Sequence, residues 1–423
     1  MKKLAKVLVA LLTVGVLAVP TFAATIGDNG IANTNDTTLN IPKGITVINT
    51  DYNQSYCPNI TYTFAITPSS NLGAVQDSNG IRMTVKAGIA DGINSTASVV
   101  FSDTDLVSST SSTLQQELAK NIELSVDLSK FQDAGIYRYT ITDTTNMADL
   151  YAAGIVRSAD YDTTRELDVY IIRDSASGEL AVQGYVLLDE IPPVVVADTY
   201  KTPGFVEDGD IIETHTPGQD GIDGTDDDEY TFSVGGEDTV DRYMTYNLEI
   251  NKIITGNMAD MAHQFPFSVN LTDAGTYFTG ANVANLEASS ASSLSFNLTN
   301  NGVQYVYGLS PNAVAVITET NNTGNTYQVT VGASDSQTDV VEALAPNTQF
   351  SGVTKTSGYK TLNSATDVST MPNGSTTLNF ENKLDAPSTT GFLMRVLPFI
   401  LLAGLMGGAL VVIKKIKVNK DEQ

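Results

Sequence analysis

The chain has 423 residues, with 48 acidic against 23 basic side chains and a formal net charge of −25. That balance argues against nucleic-acid and anionic-lipid partners. With a single cysteine, Cys57, and two histidines, His215 and His263, the chain can form no internal disulfide and has almost no material for a His-based metal site or a Ser–His triad.

In chain order, residues 1–23 read as a secretory signal peptide. Lys2, Lys3 and Lys6 precede an apolar run from Val7 to Val19, and Thr21 and Ala23 are the small residues a signal peptidase inspects. The body that follows is long enough for two or three domains. It reads as β structure throughout: short alternating runs rich in Thr, Val, Ile and Tyr, punctuated by Asn, Asp, Gly and Ser. Strands are predicted at Thr61–Ile66, Val99–Ser102, Tyr137–Thr142, Leu167–Ile172 and Val182–Leu187. Further on they are predicted at Leu248–Ile253, Phe265–Val269, Ala313–Thr318, Tyr327–Val331 and Thr377–Phe380. One helix is predicted near Ser112–Asn121, where Leu114, Leu118 and Ala119 share a face. Residues 202–236, with Pro203, Gly204, Pro217, Gly218 and the acidic run Asp220–Tyr230, read as an acidic insertion near the end of a first domain. Its carboxylates lack the EF-hand order, so it reads as a solvated loop and not as a Ca²⁺ site. No metal or cofactor is called for.

The carboxyl-terminal end carries a second apolar run. Residues 392–413 satisfy the length of a transmembrane helix, and Lys414, Lys415, Lys417 and Lys420 follow in a basic tail at 414–423. Positive charge stays on the cytoplasmic side, which places the body outside, a single-pass arrangement. Residues 386–391 form a short polar spacer before the span. The expected class is therefore all-β: two tandem Ig-like or CnaB-like β-sandwich domains between a signal peptide and a C-terminal helix.

Two stretches carry a family resemblance. NLEINKIITGNMAD (Asn247–Asp260), then FPFSV, VITE ending at Glu319, and LNFENK (Leu378–Lys383) resemble a CnaB-like pilin domain of Gram-positive surface proteins, spanning 246–385. Earlier, IPKGITVIN (Ile41–Asn49), PNITYTFAI (Pro58–Ile66), AGIYRYTITD (Ala134–Asp143) and TRELDVYII (Thr164–Ile172) are similar to the streptococcal pilin isopeptide-linkage domain, over roughly 40–245. The resemblance implies self-formed amide bonds between a lysine on the first strand and an Asn or Asp on the last, assisted by a buried carboxyl. By position it implies Lys252 as nucleophile, Asn382 as acceptor and Glu319 as assisting acid. In the first domain it implies Lys43, Asp241 and Asp143, with Asp143 standing where the family usually has Glu and Asp241 where Asn is common.

The segment DAPSTTG (Asp385–Gly391) resembles a sortase sorting signal, with cleavage expected between Thr390 and Gly391. Ala386 stands in place of leucine, and an extra residue follows Pro387. The implied role is a cell-surface structural or adhesive protein, held at the cell wall or plasma membrane. Its expected partners are sortase, peptidoglycan or other pilin subunits, and a host or matrix ligand. A surface adhesin outside any pilus is the alternative. A surface glycan hydrolase stands further back, because no triad, zinc motif or glycine-rich phosphate loop appears.

Overall fold

The computed structural model describes residues 37–386 apart from 77–81, 109–113, 159–160, 189–194, 197–201, 203, 206–209, 217–228, 236–240, 335–339 and 363–372. The residues read as a signal peptide, Thr390 and Gly391, the segment read as transmembrane and the basic tail lie outside the described residues, as does most of the acidic run. Among the described residues no helix is long and apolar enough to cross a membrane.

The chain is all-β, and two hydrophobic cores organise it. One gathers side chains from Leu39 to Tyr243; the other gathers Tyr246 to Phe380. In the first unit, the strand Thr38–Asn49 pairs antiparallel with Leu114–Ser125 on one side. On its other side lies Asp241–Met244, running parallel to it, with Val156–Arg157 beyond. An eight-stranded sheet faces these four strands, built around Gly135–Asp143 and Thr164–Arg173. Within it Arg138 is buried and grips Asp168 through Nε and Nη2, each at 2.6 Å.

The second unit repeats the plan. A seven-stranded sheet has Tyr246–Thr255 and Ser375–Lys383 at its centre, parallel to each other from Asn247↔Ser375 to Thr255↔Lys383. A five-stranded sheet containing Phe265–Thr272 and Val314–Asn321 packs over it. In both units the first strand therefore lies beside the last, and the two run the same way.

Eight of the ten predicted strands fall within observed ones, and the other two, Val99–Ser102 and Ala313–Thr318, overrun theirs by one residue each. The predicted helix does not form: Leu114–Ser125 is a strand in register with Thr38–Asn49 along its whole length. Leu114 and Leu118 are four apart, a spacing that fits a two-residue repeat as well as a helical one. Ile122, Leu124 and Val126, all buried, continue the two-residue phase and settle it. The region read as insertion is also more structured than expected. Asp210–Thr216 and Glu229–Gly235 form a two-stranded antiparallel ribbon. Just before it, Phe205 is 1 % exposed and packs on Phe64, and its backbone bonds Pro42 and Gly44.

Only Thr245 separates the last strand of the first unit from the first strand of the second. Side chains knit the junction. Asn247 Nδ2 donates to Asn49 Oδ1 at 2.8 Å and to Asp51 Oδ2 at 2.9 Å, and its Oδ1 accepts from Gly308 N. Tyr52 and Tyr56 lie on Phe278, and Tyr359 Oη donates to Ile155 O across the gap. Gly154, at φ +81°, is needed here twice over: an L residue would be strained, and a Cβ would come within 2.5 Å of Pro311 Cγ.

Candidate functional site

In the second unit, three polar residues occupy inward positions of largely apolar strands. Along Tyr246–Thr255 the buried phase is Leu248, Ile250, Lys252, Ile254. Along Val314–Asn321 it is Ala315, Ile317, Glu319, Asn321, and along Ser375–Lys383 it is Thr376, Leu378, Phe380, Asn382. Pleating alone aims Lys252, Glu319 and Asn382 into the core, where all three are 0 % exposed. The parallel register sets Ile254 opposite Asn382, so Lys252 lies two residues away on the same face. Phe265 and Phe267 roof the amine at 4.6 and 5.9 Å, and Phe380 packs edge-on against Phe267 and Phe350.

Lys252 Nζ lies 3.0 Å from Glu319 Oε1, and Asn382 Nδ2 lies 2.5 Å from the same oxygen. That separation is short for N–H···O and lies at the short limit for O–H···O. A half-turn of the amide sets its Oδ1 against a protonated Glu319, the arrangement that polarises the carbonyl. Neither Asn382 Oδ1 nor Glu319 Oε2 has a hydrogen-bond partner among the described residues. Burial lowers the Lys252 pKa to about 8, with Glu319 pulling the other way. Burial also raises the Glu319 carboxyl, offset in part by Lys252 and Asn382. Both shifts favour the uncharged pair, an amine beside a carboxylic acid.

The first unit also gathers its expected residues. Lys43 follows Leu39 and Ile41 on the inward phase of Thr38–Asn49 and is 0 % exposed. Its Nζ lies 2.8 Å from Oδ2 of Asp241, also fully buried. Tyr62 and Tyr161 stand over the amine at 4.4 and 4.7 Å. Asp143 meets Lys43 through Tyr161: its Oδ2 accepts from Tyr161 Oη at 2.7 Å, and Tyr161 Oη accepts from Lys43 Nζ at 3.2 Å.

Two residues of this pocket escaped the sequence reading. Arg157 donates from Nε to Asp241 Oδ1 at 2.7 Å and from Nη2 to Asp241 Oδ2 and Asp143 Oδ2, both at 2.8 Å. It sits on a two-residue strand, too short to show any periodicity. Tyr161 lies beside it outside any strand and offered no pattern either. Burial alone would raise the Asp241 carboxyl, but Lys43 and Arg157 together hold it below the usual carboxylate range. Desolvation lowers the Lys43 pKa, and the two aspartates partly restore it.

A family model described as a domain of unknown function (DUF7601) matches residues 246–383, the span of the second unit. No curated protein sequence matches the chain. Among solved structures the chain is similar to the major pilin of Streptococcus pyogenes, at 16 % identity and a TM-score of 0.45, covering 84 % of this chain and 100 % of that one. It is also similar to a pilus-presented adhesin, at 13 % identity and a TM-score of 0.22, covering 81 % and 100 %. A third similarity is to a Mobiluncus mulieris adhesin containing intramolecular disulfide, isopeptide and ester bond cross-links, at 10 % identity and a TM-score of 0.23, covering 81 % and 100 %. At these scores the function is left to the site itself.

Proposed function

We propose that this chain is a pilin-like structural or adhesive protein of the cell surface whose second unit closes itself with a Lys252–Asn382 amide. The observation that supports this most is the dry pocket in which Lys252, Glu319 and Asn382 meet with no solvent exposure. A lysine amine is a nucleophile only when neutral, and burial favours that form. Its Nζ lone pair attacks Cγ of Asn382 while the Glu319 proton supports the carbonyl oxygen. The Nζ–Cγ bond forms and the Cγ–Nδ2 bond breaks. The one proton that Nζ loses passes through Glu319 to Nδ2, which leaves as ammonia, and Glu319 ends as it began. The fold holds nucleophile and acceptor in one place, which supplies much of the acceleration.

The topology gives the bond a use. Tension enters the second unit at Tyr246 and leaves beyond Lys383, on adjacent parallel strands. An amide between them carries the pull from Lys252 to Asn382 and leaves the segment between them unloaded. The signal peptide and the terminal apolar span support export with the body outside; sorting between Thr390 and Gly391 would transfer it to peptidoglycan or to another subunit. Lys43 and Asp241 hold the corresponding strand positions of the first unit, in contact at 2.8 Å.

Stretching single molecules by their two ends tests the function. The second unit is expected to give no unfolding step in the native chain and to regain one in Lys252→Ala. Equal extension of both chains would refute a mechanical role for the bond.

A further inference from the structure

The two lysine pockets differ in the groups facing the acceptor, and that difference bears on their chemistry. In the second unit the acceptor is an uncharged amide with one carboxyl beside it. In the first, Lys43 and Arg157 face Asp241 and Asp143, two cations against two carboxyl groups. Arg157 forks onto both oxygens of Asp241, at 2.7 and 2.8 Å, and Lys43 occupies Oδ2 as well at 2.8 Å. Such bidentate, charge-assisted pairing holds a carboxylate in its ionised form. Asp143 has no spare oxygen either: Oδ1 accepts from Thr145 N at 2.9 Å, and Oδ2 accepts from Arg157 and Tyr161. Amide formation needs a neutral amine on a carboxylic acid, because a carboxylate is a poor electrophile and has no proton for the departing oxygen. Each of the four carboxylate oxygens already accepts at least one hydrogen bond, most of them from cations.

We propose that Arg157 keeps Lys43 and Asp241 as an ion pair, so that the first unit is closed ionically while the second is closed by an amide. The comparison rests on the reading of the Lys252 pocket given above, but the geometry of Arg157 does not. A buried set of this kind is stable only while complete, since removing one partner strands the others. Removing Arg157 leaves one cation with two carboxylates, and like charges sharing a dry site drive one of them to take up a proton. Lys43 can then pass its own proton to the partner carboxylate and attack Cγ of Asp241. The Nζ–Cγ bond forms, a Cγ–O bond breaks, and the oxygen leaves as water.

The test is peptide mapping by mass spectrometry of the full chain and of Arg157→Met. The native chain is expected to yield Lys43 and Asp241 on separate, unmodified peptides. Arg157→Met is expected to yield them joined, lighter by one water. A joined peptide from the native chain overturns the proposal, as does a soluble Arg157→Met chain in which the two stay separate. If the variant does not accumulate, the native digest alone decides. The Lys252–Asn382 peptide is read separately in the same digest, so a failure there leaves the first-unit result intact.

Discussion

At the scale of the residue, the proposed amide depends on one carboxyl, that of Glu319, placed between amine and amide. Lys252 and Asn382 are both fully buried, yet amines and amides placed side by side do not react unaided. In the proposed reaction Glu319 supplies what is missing, a proton for the carbonyl and a carrier from Nζ to Nδ2. Its neutral form is favoured by burial. Glu319→Gln keeps the shape and removes the transferable proton, so it is expected to leave Lys252 and Asn382 unlinked in an otherwise folded chain. The check is the mass of the chain, which should exceed that of the native protein by the ammonia retained, less the small Glu-to-Gln difference. Normal linkage in this variant would remove Glu319 from the chemistry. The cross-link would close a loop of about 130 residues, which in the chain-entropy model stabilises the unit by roughly 5 kcal/mol.

At the scale of the element, much of this site was legible because it is written in the two-residue repeat. Lys252, Glu319 and Asn382 each interrupt an apolar phase, and a polar residue on the inward phase of a strand is conspicuous. Lys43 is legible in the same way between Ile41 and Ile45. The repeat fails where strands are short or the spacing is ambiguous. Arg157 lies on a strand of two residues, and Leu114 with Leu118 satisfies helix and strand alike until Ile122 and Leu124 extend the pattern. Phe205 was hidden for another reason. It lies in a segment dominated by Gly, Pro and acidic residues, and a single aromatic there carries no period. Its place beside Pro42 and Gly44 is a long-range contact that local sequence does not encode.

At the scale of the whole molecule, two units of like topology are joined through one residue, and the proposals give them unlike closures. The difference predicts unequal behaviour in acid. The folded Asp241 carboxyl lies below its unfolded value, near about 3.9, because Lys43 and Arg157 outweigh the effect of burial. Its stabilisation is complete above the unfolded value and is lost as pH falls through the folded one. Pepsin digestion across descending pH is therefore expected to release peptides from 38–244 while 246–383 stays whole. Cutting of both units at the same pH would contradict this. The central claim, however, is the amide itself, and the intact mass of the native chain compared with Lys252→Ala addresses it most directly. The account predicts a native chain lighter than its sequence by one ammonia, with Lys252 and Asn382 on one joined peptide, and a variant that shows no such loss. A native mass equal to that of the sequence after any signal processing, with those residues on separate peptides, would contradict it.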